Sequence, residues 1–455
     1  MFRKKYDYDL IVFGSGAGGA VGAHQAVGMG KKVAVFERGA IGGECPNFGC
    51  VPTKALLHAA HIYEDTQIAP NFGIHTGDIK VDFTEIKKWK DLTVSRTGAA
   101  EGEESFQHEK IHLIKAQAHF ISPHQVEADG KTYSAHNFLI ATGSTTFIPP
   151  IPGLEDAGFI TSYDAIEYTK LPKSVFILGG GPIGCEFAQY FSTFGTKVTI
   201  ADNLPRLVAR EDEDISDLIQ ALFENRGIKV FVGVNVEKVE KKVGKKVVHI
   251  TNGEQHHIIE VNEILVATGK RPNLDIDPEK AGLKVDGGRL KMNKYLQTNV
   301  SHIYAAGDVV GPYLFTHTGY YQSALAAKNA FSRSKIAEDL TVVPRCTFVV
   351  PEAASVGLTE SQAREDGKKI KIGRAAMALL GRANTSNQFD GFVKVICDKD
   401  DRIIGGAIVA PRAGEMIHEI ALAMKLKAKA SDLANMIHAY PTYSEAIKIA
   451  CSNLE

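Results

Sequence analysis

Charge of one sign is what this 455-residue chain lacks most plainly: 52 Lys and Arg stand against 53 Asp and Glu, a formal net charge of −1. That balance argues against a binder of nucleic acid or of a membrane surface. The lysines at Lys241, Lys242, Lys245 and Lys246 read as a solvated hairpin face. Long apolar runs are missing too; none approaches the roughly 18 residues needed to span a bilayer. Cysteine is scarce, with six residues and no regular spacing. There is no second close Cys pair and no His-x3–5-His partner, so no metal site is expected. Ahead of the first apolar strand stand Arg3, Lys4 and Lys5, with room for neither a signal nor a transit peptide. A cytoplasmic protein with reduced thiols is expected, and Cys185, Cys346, Cys397 and Cys451 should be ordinary. What is left is an ordinary globular composition, 44% hydrophobic and 23% charged, long enough for two or three domains.

Two stretches of the chain follow one plan. Residues 7–14 are a short apolar strand ending in glycine, and Gly14-x-Gly16-x-x-Gly19 opens an Ala-rich helix to about Gly30. A second strand, Lys32 to Phe36, ends at Glu37. Ser174 to Leu178 begins the second copy: Gly179-x-Gly181-x-x-Gly184, a helix through about Phe194, a strand Lys197 to Ala201, then Asp202. The same 23-residue interval separates Gly14 from Glu37 and Gly179 from Asp202. Each copy later carries Ala-Thr-Gly, at Ala141-Thr142-Gly143 and Ala267-Thr268-Gly269. Strand, glycine turn, helix, strand and acid make the dinucleotide fingerprint. The first glycine makes the turn, the second admits pyrophosphate, and the third permits close helix packing. The helix N-terminus then holds the phosphates and the acid meets the ribose hydroxyls. The repetition predicts an α/β fold with two Rossmann-like units and two dinucleotides. Asp202 would accept hydrogen bonds from a free ribose 2′-OH and repel a 2′-phosphate, which favours NAD(H) over NADP(H). Arg206 follows a Pro and reads as the start of the next element rather than a contact to such a phosphate.

Between the first strand pair and the rest lies Ile-Gly-Gly-Glu-Cys-Pro-Asn-Phe-Gly-Cys-Val-Pro-Thr-Lys, residues 41–54. Pro52 and the apolar run after it predict a helix starting near Val51. Cys50 would then sit at a helix N-terminus, where partial positive charge favours a thiolate. Gly42, Gly43 and Gly49 let the backbone pass close to something flat or bulky. By spacing alone, Cys45 and Cys50 are equally two buried structural thiols or an incidental metal site. The glycines, the Pro and Lys54 tip the reading to a thiol pair that takes up and releases two electrons.

The segment closely resembles the redox-active disulfide motif of the class I flavoprotein disulfide reductases, among them dihydrolipoamide dehydrogenase, glutathione reductase and mercuric reductase. The resemblance covers essentially the whole chain. It implies FAD on the first fingerprint and a nicotinamide on the second, with a Cys45–Cys50 disulfide between them. Cys50 would lie against the flavin and Cys45 outward, with Lys54 near the flavin and paired to Glu186; the plainer reading of that pair is a structural salt bridge. Residues 300–309 resemble the second FAD motif, in which Asp308 meets the ribityl chain, and Thr316 falls near the isoalloxazine. His317 reads as a packed ring. Arg38, Gly43, Ala118, Thr142 and Gly143 join the expected FAD contacts, and Gly269 those of the nicotinamide. The implied domains are 1–150 with 271–343 for FAD, 151–270 for NAD, and 344–455 for dimerisation. In the last, strand-like stretches at Arg345–Val350, Gly391–Cys397 and Ile403–Val409 alternate with helices, one from about Gly414 to Lys425. A homodimer with an α+β interface domain is expected.

The tail departs from the pattern. Residues 438–445 read His-Ala-Tyr-Pro-Thr-Tyr-Ser-Glu. Lipoamide dehydrogenase and glutathione reductase place a proton-shuttling His directly before this Pro, paired with the Glu four residues after it. Glu445 matches, but Tyr440 occupies the His position, and His438 is displaced by about 6.5 Å of extended chain. Imidazole titrates near about 6.5 and phenol near about 10, so a phenol is a poor general base at neutral pH. Mercuric reductase resembles this chain in having Tyr there, yet its usual terminal Cys-Cys pair is missing, with Cys451 alone near the end. Its frequent N-terminal metal-binding domain is not expected either. The substrate is thus left open between a thiol or disulfide, Hg(II) or another electrophile. An E3-type subunit of a 2-oxo acid dehydrogenase complex is a further reading. A flavin-binding sensor without catalysis is disfavoured by intact Cys45, Cys50, Lys54 and Glu445.

Overall fold

The computed structural model describes residues 6–97 and 99–455. They form two compact bodies. One comprises the described residues up to Leu56, Thr84–Phe147 and Gly269–Asp339; the other comprises Leu57–Phe83, Ile148–Thr268 and Leu340–Glu455.

In the first body the strand Tyr8–Phe13 leads into the helix Ala17–Gly28 and the strand Val33–Phe36. Every residue of Tyr8–Phe13 is apolar except Asp9 because both faces of the sheet are covered. Ile11 and Phe13 enter one core with Phe120 and Phe138. Leu10 and Val12 enter the other with Ala23 and Leu139. The seven-stranded sheet runs His112–Ile114, Val33–Phe36, Tyr8–Phe13, Lys131–Ile140, Gln125–Ala128, His119–Ser122, with Ile303–Ala305 also paired to Lys131–Ile140. The first four strands and Ile303–Ala305 are parallel, so their carboxyl ends gather the loops that carry Gly14, Glu37, Ala141 and Ala306 at one edge.

The second body repeats that plan with Ser174–Leu178, the helix Pro182–Thr193 and Lys197–Ala201 in a four-stranded parallel sheet completed by Lys229–Phe231 and Glu263–Val266. A three-stranded antiparallel sheet follows, and in it the lysine hairpin joins Asn235–Lys242 to Lys245–Thr251. Lys242 and Lys245 pair with Glu260 on that exposed face. The C-terminal residues build a five-stranded antiparallel sheet backed by the helices Ala413–Lys425 and Glu445–Ser452, a core with no glycine turn of the dinucleotide kind. One expected strand is shorter than its sequence: Arg345–Thr347 stops early. Phe348 N–H donates to Glu186 Oε1 and Val350 N–H to Gln189 Oε1, so side chains take the groups a strand neighbour would have used.

Candidate active site

The expected thiol helix is Cys50–Ile68, beginning one residue before Val51. Cys45 lies on a separate short turn of helix, Glu44–Asn47. Several contacts hold this loop against the first glycine turn. Ser15 N–H and Oγ–H both donate to Glu37 Oε2, at 2.8 and 2.7 Å, and Gly42 N–H donates to Ser15 Oγ at 3.1 Å. Gly43, at φ +70°, packs so closely that an added Cβ would stand 2.8 Å from Gly16 Cα. Asn47 Nδ2 donates to the carbonyls of Ile41 and Gly43 at 2.9 and 2.8 Å. Lys270, directly after Gly269, pairs with Glu44, the neighbour of Cys45, and both side chains are largely shielded.

Cys45 and Cys50 are unbridged, and Cys50 is the more exposed. Cys50 Sγ stands 3.6 Å from Thr316 Oγ1. A hydrogen bond to Cys50, and burial after it, push the Cys45 thiol well above the usual range, while Thr316 acts the other way. Of the remaining cysteines, burial pushes Cys397 and Cys451 up to about 12 and raises Cys185 as well.

The glycine turns fit dinucleotides. Gly14 and Gly179 have φ of +96° and +113°, and a Cβ on either would meet a carbonyl oxygen at 2.4 Å. Gly19 and Gly184 touch the turn itself; a Cβ there would lie 1.9 Å from Gly14 O and Gly179 O. Gly181 is different: an added Cβ meets nothing within 4 Å. Packing does not require glycine at that position, whereas a pyrophosphate lying on the helix N-terminus does. Glu37 closes the first turn as described and also accepts from Gly39 N–H at 2.7 Å. Asp202 does the same in the second turn, accepting from Gly180 N–H at 2.6 Å and Leu204 N–H at 2.8 Å. Arg206 lies in the turn ahead of the helix Glu213–Asn225 and is paired with Glu213.

Around the first turn, Asp308 accepts from Ser144 Oγ at 2.6 Å, and burial raises its carboxyl above the usual range. Thr142 Oγ1 donates to Asn273 O at 2.6 Å. Gly143 and Gly269 have φ of +68° and +100° with open space beside them. Ala118 is buried in the sheet core, and Arg38 reaches Asp275 at 3.3 Å. Thr318, on the helix Thr316–Phe331, is buried, and its hydroxyl has no hydrogen-bond partner among the described residues. His317 is exposed rather than packed; its ring stacks on Phe315 with centroids 5.3 Å apart.

In the tail, Tyr440 is 78% exposed and its hydroxyl lies beside Gly381. Glu445 accepts from Thr442 N–H at 3.0 Å. His438 turns away from that pair: its Nε2 meets Glu419 Oε1 at 2.9 Å, and its Nδ1 meets the Met436 carbonyl at 3.2 Å. Ser15, Glu44, Asn47 and Lys270 escaped the sequence reading. Ser15 sits inside Gly14-x-Gly16 and Lys270 directly after Ala-Thr-Gly, so motif position was the available signal for those two. Glu44 and Asn47 lie inside the thiol stretch without any mark of their partners.

The described residues hold no helix long and apolar enough to cross a membrane. Residues 8–330 match the pyridine nucleotide-disulphide oxidoreductase family, and residues 343–451 match the dimerisation domain of that family. The chain is 35% identical over 448 residues to a mercuric reductase of Bacillus cereus, covering 98% of this chain and 71% of that protein. It is 36% identical over 459 residues to a dihydrolipoyl dehydrogenase of Thermus scotoductus, covering 98% and 97%. The solved HOCl-induced flavoprotein disulfide reductase RclA of Escherichia coli superposes with a TM-score of 0.88 at 30% identity, over 98% of this chain and 99% of that one. RclA has also been solved as a Cu(II) complex. With two dinucleotide turns, a thiol pair at the first of them and matches over both halves, the chain belongs to the pyridine nucleotide-disulphide oxidoreductase family, enzymes that use FAD and NAD(P)H.

Proposed function

We propose that this enzyme takes electrons from NADH and delivers them, through Cys45 and Cys50, to a small disulfide or a metal ion. The observation that carries the reading is the thiol pair: Cys50 heads a 19-residue helix, and its side chain is the largest influence on the Cys45 thiol. Gly14, Gly16, Gly19, Glu37, Gly43, Asp308 and Thr316, with Arg38, Ala118, Thr142 and Gly143 nearby, would hold FAD, which when bound would supply two-electron exchange between the nicotinamide and the sulfurs. Cys50, at the positive end of its helix, is the sulfur held as an anion. Cys45 keeps the proton and is the interchange thiol. Lys54, one turn along the same helix, adds positive charge. Gly179, Gly181, Gly184, Asp202 and Gly269 form the NADH site. Asp202 supports NADH over NADPH because a 2′-phosphate would meet a carboxylate, while Arg206 is engaged by Glu213.

We divide the chain into an FAD domain (1–150 and 271–343), an NADH domain (151–270) and a dimerisation domain (344–455). Leu422 and Leu426, one turn apart at the end of the helix Ala413–Lys425, are 61% and 71% exposed, and Ile437 is 94% exposed. Apolar surface of that kind supports a homodimer, with Tyr440 and Glu445 on the interface domain facing substrate. The names of the relatives support both lipoamide-type disulfides and Hg(II) as substrates, and the Cu(II) complex of RclA adds Cu(II). Tyr440 in place of an imidazole favours the metal ions, whose reduction needs no protonation of a leaving thiolate. The test is steady-state kcat/KM with NADH and NADPH against lipoamide, glutathione disulfide, Hg(II) and Cu(II). NADH with a metal ion should give the highest values. A preference for NADPH would overturn the role of Asp202, and fast lipoamide turnover at neutral pH would overturn that of Tyr440.

A further inference from the structure

We propose that the Thr316 hydroxyl is the hydrogen-bond donor that fixes which sulfur of the Cys45–Cys50 pair carries negative charge. The inference rests on the reading of that pair as the redox centre. Two-electron reduction of the disulfide breaks one S–S bond and takes up one proton, leaving one thiol and one thiolate. The thiolate needs a donor, and the thiol needs an acceptor. A hydroxyl serves as both without ionising. Thr316 Oγ1 is 3.6 Å from Cys50 Sγ and draws the Cys45 thiol down.

The placement is built by two helices. Cys50 is the first residue of Cys50–Ile68 and Thr316 the first of Thr316–Phe331, so two helix N-termini meet at these sulfurs. Both favour negative charge there. As the first helical residue, Thr316 has no preceding turn whose carbonyl could claim its hydroxyl. Its β-branched side chain has few rotamers in which to turn away. Tyr320, one turn further and on the same face, has its phenol raised by burial and then by Cys45 and Cys50. Glu44, paired with Lys270, adjoins Cys45 in the chain, Lys54 lies one turn along the Cys50 helix, and His317 follows Thr316.

The experiment uses the FAD-loaded enzyme, reduced with NADH. Alkylation of Cys45 and Cys50 by iodoacetamide is followed by mass spectrometry as a function of pH, which reports thiolate rather than turnover. Thr316→Val keeps the volume and the branch but removes the hydroxyl. It should move the ionisation of the pair up by about one unit, so that about tenfold less thiolate is present below it. Thr316→Ser should restore the wild-type profile within about threefold. If Thr316→Val binds FAD poorly, Thr316→Ala, which needs less space, gives the same comparison. A Val or Ala profile superimposed on wild type overturns the inference, as does a Ser variant displaced as far as Val. Wild-type thiols that NADH fails to make alkylatable would instead overturn the redox role of the pair.

Discussion

Replacing Gly181 by alanine separates what the fold needs from what the nucleotide needs. Gly181 is the N-cap of Pro182–Thr193, with φ −75° and ψ −177°, angles that alanine adopts freely. An added Cβ meets no protein atom within 4 Å. Alanine is a poorer N-cap than glycine, but it stiffens the unfolded chain, and the two effects offset to within about 1 kcal/mol. Melting should therefore shift by no more than about 2–4 °C. The methyl occupies the space above the helix N-terminus and lifts a pyrophosphate off the backbone N–H groups. Losing one hydrogen bond to a charged group costs about 1.5–3 kcal/mol, so NADH should bind about 10–150-fold more weakly. Gly184→Ala is the contrast. Its Cβ would lie 1.9 Å from Gly179 O, so the turn must open and stability must fall before NADH is considered. Thermal melting alongside NADH titration of both variants checks the pair. Unchanged NADH affinity in Gly181→Ala, or a melting loss matching that of Gly184→Ala, would refute the assignment of this turn.

Cys50→Ser should abolish the long-wavelength absorbance that a sulfur anion gives beside the flavin, and Cys45→Ser should keep it; the reverse pattern exchanges their roles. Tyr440→His, with Glu445 in place to orient the ring, should raise lipoamide turnover by as much as about 10²-fold, the lower end of what a positioned acid–base group contributes. If Tyr440 instead touches substrate, the change lowers turnover while NADH still bleaches the flavin. Asp308→Asn should stabilise the FAD-free protein at neutral pH while weakening FAD binding. Burial raises the Asp308 carboxyl in the folded state, so the fold binds a proton more tightly than the unfolded chain. Its contribution is full below the unfolded value and is lost as pH rises through the folded one. Melting of both FAD-free proteins from acid to neutral pH should show the wild type losing ground to Asp308→Asn as pH rises. A wild type at least as stable as the variant at neutral pH sinks the argument.

Some of this chemistry was readable because it is local. A glycine turn between strand and helix is a steric requirement written within six residues, so Gly14, Gly19, Gly179 and Gly184 announced themselves, and the helix at Cys50 followed from Pro52. Short apolar runs beside those turns placed Tyr8–Phe13, Val33–Phe36, Ser174–Leu178 and Lys197–Ala201 for the same reason. The shortened Arg345–Thr347 strand was not readable, because the groups that end it, Glu186 and Gln189, come from a helix about 160 residues earlier in the chain. His438 was displaced from the Tyr440 position by spacing alone, but that a carboxylate on another helix, Glu419, holds it was not readable.

By itself the sequence determined two dinucleotide turns, one thiol pair at the head of a helix, and a tail without the imidazole, since each depends on neighbours in the chain. Only the tertiary structure decided that Gly181 faces open space while Gly184 does not, that Lys270 neutralises Glu44 beside Cys45, and that Thr316 meets Cys50 across 266 positions of chain. Hydrogen bonds and ion pairs act over a few ångströms of space, and folding alone sets which distant residues fall within that range.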